Sequence, residues 1–211
     1  RAGHGGGRRV AEGQFMMTPL MWWLMAAPAS YLLGSVNPAA WIARVFGVNI
    51  RQVGSGNPGA TNIGRALGPR WAVLVGAIDV LKGFLPALIF GILGGEIAGE
   101  IAGLAAVLGH VTSPWLHGHG GKGVATTLGA ILGVQPWLAI PVLIVFFIGV
   151  KVFHRVGLGA VMAAIALAVS GIVGGIAGWF DPSDVVFSIL LAGLVLWRHQ
   201  RNIRAAIAAR I

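Results

Sequence analysis

The fold is decided by the stretch Pro136–Phe153, which reads PWLAIPVLIVFFIGVKVF and has Lys151 as its single charged residue. A helix that crosses a membrane needs about 20 consecutive, mostly apolar residues, with about 17 to 25 common. This stretch has the necessary length and too few polar groups to form a surface in water. The sequence therefore predicts an integral membrane protein.

The composition of the whole chain agrees with this prediction. Of its 211 residues, 56% are hydrophobic and 10% are charged, whereas soluble domains carry about 25% charged residues. The formal net charge of +9 would suggest nucleic acid in a soluble protein. In a membrane protein it reflects Lys and Arg retained on the cytoplasmic side, so we expect a lipid bilayer and no nucleic acid as partner. The chain has no cysteine, which excludes disulfides and thiolate metal sites.

Six further apolar stretches are candidates for membrane-spanning helices. Together with Pro136–Phe153 they predict an all-α, polytopic membrane protein with seven transmembrane helices. We expect residues 16–211 to form one domain, and residues 1–15, which are rich in Gly and Arg, to be a disordered tail or a non-native extension. The seven predicted spans are residues 18–46, 69–93, 97–115, 124–134, 136–153, 158–179 and 185–197. The first of them is interrupted by Pro28 and Pro38.

Charge is distributed unequally between the two sides of these spans. Segments after the even-numbered spans carry acidic residues or none, and segments after the odd-numbered spans carry basic residues. Because basic residues favour the cytoplasmic side, the C-terminus is predicted inside and the N-terminus outside. Both Gly-rich loops and the C-terminal basic segment then lie on the cytoplasmic side. The internal basic residues are Arg51, Arg65, Arg70, Lys122, Lys151, Arg155, Arg198, Arg201 and Arg204.

The loop after the first span, Arg51–Arg65, reads RQVGSGNPGATNIGR. Glycine lets the backbone approach a ligand closely, successive N–H groups can form an anion-binding nest, and Arg forms a fork suited to phosphate. A flexible connector would explain the Gly and Asn residues, but not so many donors without an acidic residue. The loop therefore predicts an anion site. Its candidate residues are Gly54, Ser55, Gly56, Asn57, Thr61, Asn62 and Arg65.

A second Gly-rich loop, residues 116–127, reads LHGHGGKGVATT and runs into a predicted helix. A Gly-rich turn, a lysine and a helix N-terminus together make a recurrent phosphate cradle. Gly123 replaces the Ser or Thr that follows the lysine of a Walker A loop, so an ATPase is not indicated. His117 and His119 have no nearby carboxylate, and we expect neither a metal nor a cofactor. The candidate residues are His110, Gly120, Gly121, Lys122, Gly123 and Thr126.

Two polar pairs complete the candidate site. Asp79 and Lys82 lie inside the second span, three residues apart and so on one helical face. They are either a mutually neutralising structural pair or part of the substrate site, and we include them as substrate-binding candidates. His199 and Asn202 share a face of the basic segment after the last span. Such segments usually bind lipid head groups, so a catalytic contribution from this pair is a hypothesis.

Taken in order, these motifs resemble PlsY, a family of bacterial membrane acyltransferases that transfer an acyl group from acyl phosphate to glycerol 3-phosphate. The resemblance runs from about Tyr31 to Ile203. It rests on Leu33-Gly-Ser35, Val53-Gly-Ser-Gly-Asn57, Gly59-Ala-Thr-Asn62 with Arg65, Asp79-Val-Leu-Lys-Gly83, Leu108-Gly-His110, Gly120-Gly-Lys-Gly-Val-Ala-Thr126, and Arg198-His199 with Asn202-Ile203. The chain departs from the family pattern at Asn49, Gly157, Ala160 and Arg201.

The resemblance implies seven spans in the bacterial inner membrane, with the three motif regions cytoplasmic, and the first acylation step of phospholipid synthesis. The substrates would be glycerol 3-phosphate and acyl phosphate, the product lysophosphatidate, and a soluble enzyme that makes acyl phosphate a candidate partner. The residues implied to be catalytic are Ser55, Arg65, Lys122, His199 and Asn202. The resemblance also implies that the loop Gly120–Thr126, with Lys122, binds the phosphate of glycerol 3-phosphate.

An acyl phosphate is already activated, so we expect direct attack by the glycerol phosphate hydroxyl, without an acyl-enzyme. His199 and a substrate phosphate oxygen are both candidates for the general base. The rival function is a transporter of an organophosphate anion, with Asp79 and Lys82 as a site at the membrane midplane. No inverted internal repeat is evident to support it. A purely structural membrane protein would leave the anion-binding loops unexplained.

Overall fold

The computed structural model describes residues 17–209, and the prediction for residues 1–15 lies outside that range. The described chain is all-α, as predicted, with two short 3₁₀ helices at Pro114–Leu116 and Pro136–Leu138. The α-helices are α1 Pro19–Ser35, α2 Pro38–Val45, α3 Ala60–Leu67, α4 Pro69–Gly94, α5 Glu96–Val111, α6 Val124–Val134, α7 Ala139–Phe153, α8 Val156–Ile176, α9 Pro182–Arg198 and α10 Gln200–Ala208.

Each of the seven predicted spans coincides for most of its length with one helix of this set, namely α1, α4, α5, α6, α7, α8 or α9. Within the described residues, three stretches are long and apolar enough to cross a membrane by themselves: Pro69–Gly94, Pro136–Phe153 and Val156–Ile176. The membrane fold therefore has independent support from its helices, whereas the number of seven crossings stays a prediction.

The first predicted span, residues 18–46, is divided into two helices, because the chain breaks between α1 and α2. Pro38 occupies the first turn of α2, where its missing N–H costs nothing. Asn37 precedes it in an extended conformation, and its side-chain oxygen accepts a hydrogen bond from the Ala40 N–H at 2.8 Å. Pro28 stays inside α1 without breaking it. The break directs α2 and the first Gly-rich loop away from the axis of α1.

The second half of the first Gly-rich loop is helical rather than irregular. Gly59 is the N-cap of α3, so Thr61, Asn62 and Arg65 lie on this short helix. At the other end of the chain, His199 separates α9 from α10, and the basic segment forms a helix of its own. These two short helices place the polar side chains of the candidate site.

Glycines allow the central helices to pack with their backbones in contact. A Cβ atom at Gly83 of α4 would overlap the carbonyl oxygen of Thr126 in α6, and one at Gly129 would overlap that of Val80. Small residues permit this close approach where lipid provides no hydrophobic driving force between helices. The 11 residues of α6 span only about half of a 30 Å hydrocarbon core. The Gly-rich segment before α6 is therefore held against α5 rather than projecting freely.

Acidic residues gather at the end of α4 that lies away from the Gly-rich loops. The Gln135 side chain donates to the carboxylates of Glu96 and Asp184, at 2.9 Å in both cases. The Asp184 side chain also accepts a hydrogen bond from the backbone N–H of Asp181 at 3.0 Å, as part of a capping box at the N-terminus of α9. The structure thus separates the acidic end of the helix bundle from its basic end, as the charge pattern predicts.

Candidate active site

Asn62 holds the first Gly-rich loop in shape. Its buried amide oxygen accepts from the backbone N–H of Ser55 at 3.0 Å. Its amide nitrogen donates to the carbonyls of Val53, at 2.9 Å, and Ile50, at 3.2 Å. Every hydrogen-bonding atom of this side chain therefore serves the loop. The structure therefore places Asn62 beneath the loop, where it orders Ser55.

Several glycine N–H groups of the two loops donate to carbonyls within the protein. The N–H of Gly120 donates to Val111 at 2.9 Å, and that of Gly121 donates to His110 at 3.0 Å. In the first loop the N–H of Gly56 donates to Val53 at 2.9 Å. Local turns satisfy these donors. These three N–H groups are therefore not available to an anion in this conformation.

Two arginines connect the loops through backbone carbonyls. The Arg51 guanidinium donates to Gly56 at 3.4 Å and also to the carbonyl of His119, and so joins the first loop to the second. Arg198, at the end of α9, donates through Nε and Nη2 to the carbonyls of Gly121 and Gly120, at 3.2 and 3.1 Å. The planar fork of the guanidinium suits paired acceptors of this kind. Our sequence interpretation did not assign either arginine to the site, because only the tertiary structure shows which carbonyls they reach.

Lys122 joins the second loop to α10. Its Nζ donates to the side-chain oxygen of Asn202 at 2.6 Å. Burial lowers the pKa of this lysine, and the positive charges of Arg198 and Arg65 lower it further. Lys122 is thus a partly desolvated cation among other cations, and a bound anion would relieve that unfavourable arrangement.

A pocket of about 470 Å³ lies where the two loops meet α9 and α10. Four cationic side chains line it, and none of its lining residues within the described range 17–209 is a carboxylate. Its volume lies in the range of small-molecule sites. Five of the residues predicted from sequence line this pocket: Ser55, Gly56, Asn57, Lys122 and Asn202. The other lining residues are Arg51, His119, Trp197, Arg198, Gln200, Arg201 and Ala205.

The remaining candidates lie around the pocket rather than on its surface. Arg65 and Thr61 are exposed on α3, and Thr126 is buried where α6 meets α4. Asp79 and Lys82 form a buried ion pair with Nζ and Oδ1 2.9 Å apart. The predicted residues outside the pocket lining are Gly54, Thr61, Asn62, Arg65, Asp79, Lys82, His110, Gly120, Gly121, Gly123, Thr126 and His199.

His199 is buried just beyond the end of α9. Its ring Nδ1 lies 2.8 Å from the carbonyl of Val195, so Nδ1 carries the hydrogen and donates it. Burial lowers the pKa of His199 to about 4, and the charges of Lys122 and Arg198 contribute to the lowering. At neutral pH the imidazole is therefore uncharged and weakly basic.

The sequence of this chain matches a sequence model of the family described as glycerol-3-phosphate acyltransferase, over residues 22–209. The chain belongs to the glycerol-3-phosphate acyltransferase family. A member from Deinococcus radiodurans is 42% identical, with 86% of this chain and 90% of that protein covered. A member from Aquifex aeolicus is 41% identical, with 86% and 93% covered.

Two crystal structures of PlsY, described as an integral membrane glycerol 3-phosphate acyltransferase, share this fold. The glycerol 3-phosphate form has a TM-score of 0.81 and 37% identity, with 89% of this chain and 93% of that chain covered. The lysophosphatidic acid form has a TM-score of 0.77 and 35% identity over the same shares. The chain is therefore an acyltransferase of phospholipid synthesis and an integral membrane protein, as predicted.

Proposed function

We propose that this chain transfers a fatty acyl group from acyl phosphate to the 1-hydroxyl of glycerol 3-phosphate, forming lysophosphatidate and phosphate. The observation that carries the proposal is the cationic pocket in which both Gly-rich loops meet α10. Its chemistry suits two phosphate-bearing reactants. The names of the relatives and the glycerol 3-phosphate and lysophosphatidic acid forms of the solved PlsY structures support the same reaction.

The main difficulty of this reaction is to hold two anions side by side. Lys122, Arg198 and Arg51 bring positive charge to the pocket from the second loop, α9 and the first loop respectively. Arg201 adds a fourth cation from α10. At the effective dielectric constant of a protein surface, two unit charges 4 Å apart interact by about 4 kcal/mol. Several cations can therefore offset the repulsion between two phosphates and orient both reactants.

We propose that the reaction proceeds by direct attack in a complex of both substrates with the protein. The 1-hydroxyl oxygen bonds to the acyl carbonyl carbon, and the bond from that carbon to the phosphate oxygen breaks. Phosphate leaves with the electron pair. Ser55 and Asn57 line the pocket and offer neutral donors, and Lys122 offers a charged one, to stabilise the oxyanion that develops on the carbonyl.

A phosphate oxygen of a substrate is the base that best fits this site. His199, the other candidate, is buried outside the pocket lining and has a pKa of about 4. The second pKa of a phosphate monoester is about 6. The acid limb of kcat, which reports groups of the bound complex, is therefore expected near pH 6. A limb near pH 4, lost in His199→Gln, would instead assign the base to His199.

We further propose that the pocket faces the cytoplasm of a bacterial cell, with the C-terminus inside and the N-terminus outside. The segregation of charge supports this orientation. Since the chain has no cysteine, introduced cysteines are unique. A membrane-impermeant maleimide is expected to label Trp179→Cys in intact spheroplasts, and Ala208→Cys only after lysis. The reverse pattern would contradict the orientation. A cytoplasmic pocket would receive acyl phosphate from a soluble enzyme that makes it.

The choice of donor tests the proposed reaction. Purified protein is incubated with labelled glycerol 3-phosphate and either palmitoyl phosphate or palmitoyl-coenzyme A. We expect labelled lysophosphatidate with palmitoyl phosphate and none with the thioester. Equal product from the thioester would overturn the assignment of the donor while leaving the acceptor intact.

A further inference from the structure

Three ionisable side chains form a buried network between α4 and α5. Asp79 Oδ1 lies 2.9 Å from Lys82 Nζ and 3.4 Å from His110 Nδ1. All three side chains are at least nine-tenths buried, and none lines the pocket. Charges that are buried in this way are costly unless they are paired, and when they occur in a membrane-spanning helix they commonly serve function. A direct contact with substrate does not account for this network, because it lies outside the pocket.

The network contacts the end of α1 and the second Gly-rich loop. Lys82 Nζ donates to the carbonyl of Val36 at 2.7 Å, where the chain breaks between α1 and α2. The backbone carbonyl of His110 accepts the N–H of Gly121 at 3.0 Å. The imidazole also fills the space beside Gly121, since a Cβ atom there would fall on its Nε2. Thus both the ring and the backbone of His110 determine where Gly121 lies.

Gly121 is held from two sides. His110 contacts it from α5, and Arg198 of α9 donates to its carbonyl at 3.2 Å. The next residue is Lys122, whose amine lines the pocket. A shift of the imidazole would therefore move the backbone that carries this amine. A misplacement of about 1 Å in a site of this kind can reduce a rate by as much as about a hundredfold.

We propose that Asp79, Lys82 and His110 are positioning residues for the acceptor half of the reaction. Asp79 fixes the His110 ring, Lys82 neutralises Asp79 and ties it to the end of α1, and His110 sets the position of the Gly120–Lys122 backbone. This role replaces the substrate contact that the sequence suggested for these residues. The change in KM that this role predicts rests on the proposed function, whereas the change in the position of the loop backbone does not.

The kinetic test uses a double variant, Asp79→Asn with Lys82→Met, which removes both charges and leaves neither buried alone. We expect the KM for glycerol 3-phosphate to rise about tenfold, with an unchanged KM for palmitoyl phosphate. The matched control is Glu100→Gln, a buried carboxylate of the same helix α5 as His110. It lies ten residues from His110, about 15 Å along the helix, and both KM values are expected to be unchanged. If the network served only stability, the double variant would have a lower yield and Tm, but its KM for glycerol 3-phosphate would not rise relative to its KM for palmitoyl phosphate.

Amide hydrogen exchange without substrate provides a readout that does not depend on turnover. Exchange at Gly121 is expected to accelerate in the double variant and to stay at the parent rate in Glu100→Gln. If the double variant does not fold, His110→Phe can replace it. Phenylalanine keeps an aromatic ring at this position but has no ring nitrogen to face Asp79, and we expect the same rise in KM and the same faster exchange at Gly121. A folded variant with parental exchange and parental KM values would overturn the positioning role. A parent protein that forms no product would overturn the proposed function, while exchange would still decide whether the network holds the loop.

Discussion

Replacing Lys122 by methionine removes a cation from the pocket while keeping the volume of the side chain. Lys122 Nζ lies on the pocket surface and donates to Asn202 at 2.6 Å. A hydrogen bond to a charged group contributes about 1.5–3 kcal/mol, and about 1.4 kcal/mol corresponds to a factor of ten in rate. The kcat/KM for glycerol 3-phosphate is therefore expected to fall about ten- to a hundredfold.

The same substitution should not lower stability, which separates a functional effect from misfolding. The charges of Arg198 and Arg65 act unfavourably on Lys122 in the absence of an anion, so its removal relieves repulsion. The loss of the hydrogen bond to Asn202 acts in the opposite direction, so we expect Tm in detergent to change little. The assay follows labelled lysophosphatidate formed from palmitoyl phosphate, with Lys151→Met as the control, since Lys151 is exposed at the end of α7. Parental kcat/KM in Lys122→Met, or an equal loss in Lys151→Met, would refute the assignment of Lys122 to the site.

Three further predictions concern the reaction path and the residues Asn202 and His199. Intact-mass spectrometry after incubation with palmitoyl phosphate alone is expected to find no acyl adduct on Ser55, and an adduct would overturn direct attack. A Cβ atom at Gly157 would fall on the Asn202 amide, so Gly157→Ala is expected to lower kcat/KM about tenfold, while Gly193→Ala, which has open space, changes nothing. The pKa of His199 is about 6.5 in the unfolded chain and about 4 in the folded protein. As the pH falls below 6.5, the unfolded state therefore binds the proton first, and the free energy of unfolding decreases, by roughly 3 kcal/mol at pH 4. Parallel plots of Tm against pH for the parent and His199→Gln would contradict this last prediction.

The long apolar stretches could be predicted from the sequence because lipid requires continuous runs of apolar residues. Pro136–Phe153 and the second span, observed as Pro69–Gly94, appear with nearly the predicted bounds. The sequence marked both Pro28 and Pro38 as interruptions of the first span, but Pro28 is accommodated inside α1 and the chain breaks only before Pro38. Only the tertiary setting distinguishes these two prolines. Helix α3 was missed because its glycines and polar residues are equally typical of a loop.

The site was predictable in its chemistry but not in its contacts. Gly-rich loops with basic residues and no carboxylate indicated an anion, and Ser55, Lys122 and Asn202 do line one pocket. The hydrogen bonds by which Asn62 stabilises the first loop could not be predicted, because its partners are backbone atoms up to 12 residues away. The same holds for Arg198, which reaches carbonyls 77 and 78 residues away in the chain.

The central claim is that acyl transfer between two phosphate-bearing substrates takes place in this pocket. The most direct measurement is the formation of lysophosphatidate and phosphate by purified protein from palmitoyl phosphate and labelled glycerol 3-phosphate, repeated for the pocket variants Ser55→Ala, Arg198→Ala and Lys122→Ala. We predict equal amounts of both products from the parent and reduced turnover in all three variants. Full activity in all three would contradict the site, and uptake of glycerol 3-phosphate into proteoliposomes without any lysophosphatidate would indicate a transporter instead.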